Sequence, residues 1–209
     1  MGLHHSHDHH DHGHSHAVEA LTPRYKRILW IALIVNFAMF FVEITSGLVA
    51  SSVSLLADAA DFLGDGVNYG LSLAALGMAS AVGSKIALAK GIVMGLFGMF
   101  VLGKTALQWA SGVTPEATTM GAIGVLALCA NLFVAALLYK YRTGNANMRS
   151  VWLCTRNDAI SNLLVIAAAI GVWGTAKGWP DLAVAAFMGS LSLWSSQEVI
   201  RHALAELKP

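Results

Sequence analysis

Apolar residues dominate six long stretches of this chain, at roughly 27–50, 54–79, 86–110, 118–140, 150–175 and 181–199. Short polar or turn-forming breaks separate them: Ser51-Ser52, Ser80 to Ser84, Gly112 to Pro115, Gly144-Asn145 and Gly178 to Pro180. A helix rises 1.5 Å per residue, so about 20 apolar residues cross a hydrocarbon core of roughly 30 Å. Each stretch is of that order. The pattern predicts an all-α integral membrane protein, a bundle of six transmembrane helices filling residues 23–209, with residues 1–22 as a separate tail.

Composition agrees with that pattern. Of the 209 residues, 56% are hydrophobic and only 12% are charged, whereas soluble domains carry about a quarter charged residues. The six stretches and their connections leave no room for a soluble domain of ordinary size. A formal net charge of +1 gives no global bias toward nucleic acid. Two cysteines, Cys129 and Cys154, both inside apolar runs, make no disulfide framework. The N-terminus lacks the basic, apolar and small-residue order of a signal peptide, so the first stretch is expected to stay in the membrane.

Charge also predicts an orientation. Arg24, Lys26 and Arg27 precede the first stretch. Lys85 and Lys90 are assigned to the second connection, Lys140, Arg142 and Arg149 to the fourth, and Arg201 and Lys208 follow the sixth. With alternating helices all of these fall on one side, and only Lys177 falls on the other. Positive-inside counting places both termini in the cytoplasm, in a bacterium at the inner membrane. Lys104 and Arg156 lie within spans, Lys104 near an end where it can snorkel.

The tail carries eight of the nine histidines: His4, His5, His7, His9, His10, His12, His14 and His16. Interleaved with Ser, Asp and Gly, they cannot build a core. The tract reads as a disordered cytoplasmic segment that collects metal.

The chemistry sits inside the spans. A carboxylate at mid-span costs about 2.5–3.5 kcal/mol on insertion scales, yet the second stretch carries Asp58, Asp61 and Asp65. Offsets of three and four place them on one helical face. Cys154 and Asp158 of the fifth stretch also share a face. Counting 1.5 Å per residue from opposite sides, Asp61 and Asp65 lie roughly 10–17 Å deep, and Cys154 and Asp158 roughly 6–12 Å. The two pairs can therefore meet. Three carboxylates and a thiolate suit a tetrahedral site for zinc or a similar ion. Asp58 is either part of this pathway or a hydrogen-bonding group between helices. Asn36 and Glu43 of the first stretch either line the path or lock that helix to the second, and Asn162 is a further second-shell candidate. Cys129 reads as inert packing, and Gly91, Gly95, Gly98 and Gly103 as a close-packing seam.

The stretch Asn36 to Asp65, NFAMFFVEITSGLVASSVSLLADAADFLGD, resembles the cation diffusion facilitator (cation efflux) family, as does CTRNDAISN from Cys154 to Asn162. In that family a His or Asp, three residues and an Asp recur in the second and fifth spans. Here Asp61 and Asp65, and Cys154 and Asp158, stand at those places. The resemblance implies a six-helix bundle, usually dimeric, exporting divalent metal in exchange for protons. It implies no prosthetic group and no enzymatic activity. The partners are the bilayer, the metal, protons and a second copy of the chain. Cys154 departs from the usual His or Asp. A softer thiolate favours Zn2+ or Cd2+ over manganese and iron, with Co2+, Ni2+ and copper left open. The family's C-terminal cytoplasmic domain is expected to be missing, making this a short form. The competing readings are a passive metal channel or a membrane metal sensor, and more remotely an intramembrane metalloenzyme. Against the last, no histidine lies in any span. No GxxxxGK[ST] loop points to ATP coupling.

Overall fold

A computed structural model describes residues 22–75, 80–143 and 146–207. The histidine tract lies outside them. The described residues form six long helices: α1 (Pro23–Val49), α2 (Val53–Ala75), α3 (Ser80–Ser111), α4 (Ala117–Leu138), α5 (Ala146–Thr175) and α6 (Trp179–Glu206). A short 3₁₀ turn, Tyr139–Tyr141, follows α4. The described residues thus form the all-helical, six-helix bundle that the pattern predicts, with helices that overrun the apolar stretches at several ends. Four are long and apolar enough to cross a membrane: Pro23–Val49, Ser84–Ser111, Ala117–Tyr141 and Val151–Thr175. The other two are α2, with its three aspartates, and α6. Large apolar side chains stand exposed around the bundle, among them Ile34, Phe41, Leu107, Trp173 and Trp194. A belt of this kind in water would be an aggregation surface, and in lipid it is the solvated face.

Local chemistry sets the helix ends. Thr22 caps α1 by accepting a hydrogen bond from the Tyr25 amide at 3.3 Å, and Pro23 occupies the first helical position. After α1 the chain turns through Ser51, whose φ of 54° is unusual for a residue with a Cβ. The N-terminus of α2 has a cap supplied from α6. The buried Asp181 carboxylate accepts from Ser52 Oγ (2.7 Å), the Val53 amide (2.9 Å), the Ser54 amide (3.1 Å) and Ser54 Oγ (2.6 Å). Gln108 Nε2 donates to the Ser51 carbonyl (2.7 Å), and the Glu116 amide donates to the Ala50 carbonyl (2.9 Å). One end of the bundle is therefore stitched together by polar contacts from α3, α6 and the segment before α4.

The most extensive helix pairs are α3 with α6, α1 with α2 and α4 with α5. Glycines explain the first. A Cβ on Gly95 would stand 2.6 Å from Ser196 Oγ, and one on Gly91 would stand 2.8 Å from Ile200 Cγ1. Gly98 faces Leu193 and the Gly189 carbonyl. Gly103 does not belong to this seam, since nothing lies within 4 Å of its Cβ direction. Cys129 likewise is exposed on α4 and does not pack inside the bundle.

Candidate metal centre

Helices α2 and α5 run antiparallel, and their contacts fix a register. Asn162 Nδ2 of α5 donates to Asp58 Oδ2 of α2 at 2.6 Å. Further along, Thr155 Oγ1 donates to Asp65 Oδ2 at 3.5 Å and lies 2.5 Å from the Tyr69 hydroxyl. Each step forward along α2 is matched by a step back along α5. Asp61 therefore comes level with Asp158, and Asp65 with Cys154 and Thr155.

All four of these predicted ligands line one cavity of about 470 Å³. Asp65 is 5% exposed, whereas Asp61, Cys154 and Asp158 are half-buried and open to the cavity. The four surround a shared space without closing on a point: among the described residues no three His, Cys, Asp or Glu side chains are gathered closely enough to hold an ion as they stand. Asp65 is the most firmly held. The Tyr69 hydroxyl donates to its Oδ2 at 3.0 Å, and Tyr69 itself is fully buried.

The second group of candidates lies elsewhere. Asn36, Glu43, Asp58 and Asn162 are all fully buried, and none of them lines the cavity. Asp58 and Asn162 are joined as described, and Asn131 Nδ2 of α4 donates to Asn162 Oδ1 at 2.9 Å. Glu43 packs beside Asp58. Asn36 donates to the Ala32 carbonyl of its own helix at 2.8 Å. Glu43, Asp58, Asn131 and Asn162 form a buried polar group that joins α1, α2, α4 and α5 one turn away from the cavity-lining Asp61.

Three further residues line the cavity or hold its lining. Tyr69 and Thr155 hold Asp65, and the i, i+4 spacing of Asp65 and Tyr69 was the available signal. The third is Lys90. The charge pattern assigns it to a connection, but α3 begins at Ser80, which carries Lys90 about three turns into the helix and into the cavity wall. Its ammonium donates to Asn68 Oδ1, another residue of the lining. Arg156, by contrast, is exposed and donates to Asn157 Oδ1 at 3.1 Å. His202 is exposed on the last turns of α6, 3.6 Å from Glu198.

Paired carboxylates in a membrane-type bundle, facing a cysteine and a further carboxylate across one cavity, are cation-binding chemistry. The profile of the cation efflux transmembrane domain matches residues 29–207. The chain belongs to the cation efflux family. The matched domain is a transport domain and not an enzyme's, and it makes the chain a multi-pass integral membrane protein. The metal cation efflux system protein CzcD of Cupriavidus metallidurans is 29% identical over 206 residues, which cover 93% of this chain and 60% of the relative. The cadmium, cobalt and zinc/H(+)-K(+) antiporter of Bacillus subtilis is 25% identical over 201 residues, 88% of this chain and 65% of that protein. The chain thus spans less than two thirds of the length of these relatives.

Proposed function

We propose that this protein exports divalent transition-metal cations from the cytoplasm in exchange for protons, and that Asp61, Asp65, Cys154 and Asp158 hold the ion in transit. The observation that carries the reading is the convergence of these four side chains, from two antiparallel helices, on one cavity within a cation efflux domain. Zinc is the favoured cargo, with cadmium, cobalt and nickel accepted. One thiolate among three carboxylates suits borderline and soft ions better than manganese or magnesium. The relatives' names point the same way, toward cadmium, cobalt and zinc.

Proton exchange follows from the ligands. A thiol and carboxyls must shed protons to bind metal, so acid on the release side expels the ion. The protein works as a homodimer in the bacterial inner membrane with both termini cytoplasmic, and the histidine tail captures metal ahead of the site.

The test is zinc flux in proteoliposomes under an imposed pH gradient. Native protein moves zinc faster when the release side is acid, and Asp158→Ala abolishes flux while inserting normally. Native-rate flux by Asp158→Ala would remove this residue from the site. Flux indifferent to the pH gradient would turn the reading toward a passive channel.

A further inference from the structure

A lysine in the wall of an anionic cation site demands an account. Lys90 lies ten residues into α3, roughly 15 Å along the helix. Asp65 lies ten residues before the end of α2, and Cys154 eight residues after the start of α5, roughly 15 and 12 Å along. With short connections and alternating helices, these three ends of the bundle coincide. Lys90 therefore stands at the depth of the ligands and shares their cavity. Its side chain is half-buried in the cavity wall. It points inward, anchored by its hydrogen bond to Asn68, within electrostatic range of Asp65, Cys154 and Asp158. Lys85, five residues earlier on the same helix, is exposed.

We propose that the Lys90 ammonium is a built-in counter-cation for the transport site. It offsets the charge of the carboxylates when no metal is bound, and it repels a divalent ion once one arrives. The inference rests on the four-ligand reading and adds a residue that tunes it. Three carboxylates and a thiolate packed in a low dielectric would bind a divalent ion very tightly, and a transporter must also let go. A fixed positive charge beside the ligands weakens binding in the occupied state and favours release. Asn68 keeps the ammonium in the wall, beside the ion's position and not in it. Lys90 is thus a positioning and affinity-setting residue, not a ligand.

The experiment compares the native full-length protein with Lys90→Met, Lys90→Gln and Lys90→Arg, and with Lys85→Met as control. The probe is Zn2+ alone. Equilibrium affinity is measured by competition with a chelating dye in detergent, and KM and kcat are measured in proteoliposomes. Coulomb repulsion of a divalent ion by a nearby unit charge predicts tightening by roughly tenfold or more in both Met and Gln. KM should fall in both, and kcat should fall with it, because release slows. Lys90→Arg keeps the charge and stays near native, as does Lys85→Met. Gln can still bond to Asn68, so native behaviour in Gln with a change only in Met would assign the hydrogen bond, not the charge, and overturn the proposal. Unchanged or weaker zinc binding in both Met and Gln would overturn it too, weaker binding marking the amine as a ligand. Asp158→Ala separates the layers. If it abolishes binding while the Lys90 variants bind as native, only the Lys90 inference falls. If Asp158→Ala binds zinc normally, the ligand set itself is wrong.

Discussion

Replacing Tyr69 with Phe removes one oxygen and leaves the ring in place. The ring belongs to a buried cluster with Leu29, Val134, Leu138 and Val151, so its packing survives. What is lost is the donor to Asp65 Oδ2 at 3.0 Å and the 2.5 Å contact that ties Thr155 to the same carboxylate. A hydrogen bond to a charged group contributes about 1.5–3 kcal/mol net, and each 1.4 kcal/mol is about tenfold in affinity. Residues that orient metal ligands typically cost about 10–100-fold when removed. Both estimates predict that Tyr69→Phe binds zinc about ten- to a hundredfold more weakly. The assay is zinc titration against a chelating competitor, paired with thermal unfolding in the absence of metal. The expected result is a large affinity loss with little change in unfolding temperature. Native affinity in a well-folded Tyr69→Phe would mean that Asp65 is not oriented by this contact. An equal fall in metal-free stability would make Tyr69 a core residue with no particular claim on the site.

Two further outcomes are expected. Asp181→Ala strips four donors at the N-terminus of α2 of their shared acceptor, at a cost of about 3 kcal/mol or more; a fall of less than about 1 kcal/mol in denaturant or thermal unfolding in detergent would show that water replaces the carboxylate. Cys154→Asp should move preference toward manganese, and Cys154→His should keep zinc while weakening cadmium relative to it; one common order of preference in metal-competition flux assays for all three proteins would mean that the thiol does not touch the ion.

The six helices were legible because a span is a composition, and composition is local. The aspartates were legible because a carboxylate in an apolar helix is costly enough to need a reason. Lys90 was misread for the same locality. SAVGSKIALAK reads as a polar connection running into a span, and Lys90, although inside the stretch 86–110, is counted with Lys85 at the connection. The helix in fact begins at Ser80 and winds Lys85 outward and Lys90 inward. Asp181 was out of reach for a different reason. Pro180 announces a helix start, but the donors that Asp181 serves are 127 to 129 residues away in the chain. No periodicity within α6 records them. The glycine seam was legible at Gly91, Gly95 and Gly98 and failed at Gly103, where the spacing leaves the face toward α6.

Asp58 and Asp61 are one turn apart on α2, yet their surroundings make them different groups. Asp58 is fully buried, and Asn162, itself bonded to Asn131, donates to it. A carboxylate so enclosed is costly unless it is hydrogen-bonded, and the Asn162 amide on its Oδ2 makes it a rivet between α2 and α5. Asp61 is half-buried and faces the cavity. The first arrangement is what makes the second useful. A slip of α5 by one residue turns each of its side chains by about 100° around the axis, which would carry Cys154 and Asp158 away from Asp61 and Asp65. The Asp58–Asn162 bond opposes that slip one turn from Asp61, and the Thr155–Asp65 contact opposes it at the cavity itself. The costly, sealed polar pair thus sets the register in which the four cavity side chains face one another.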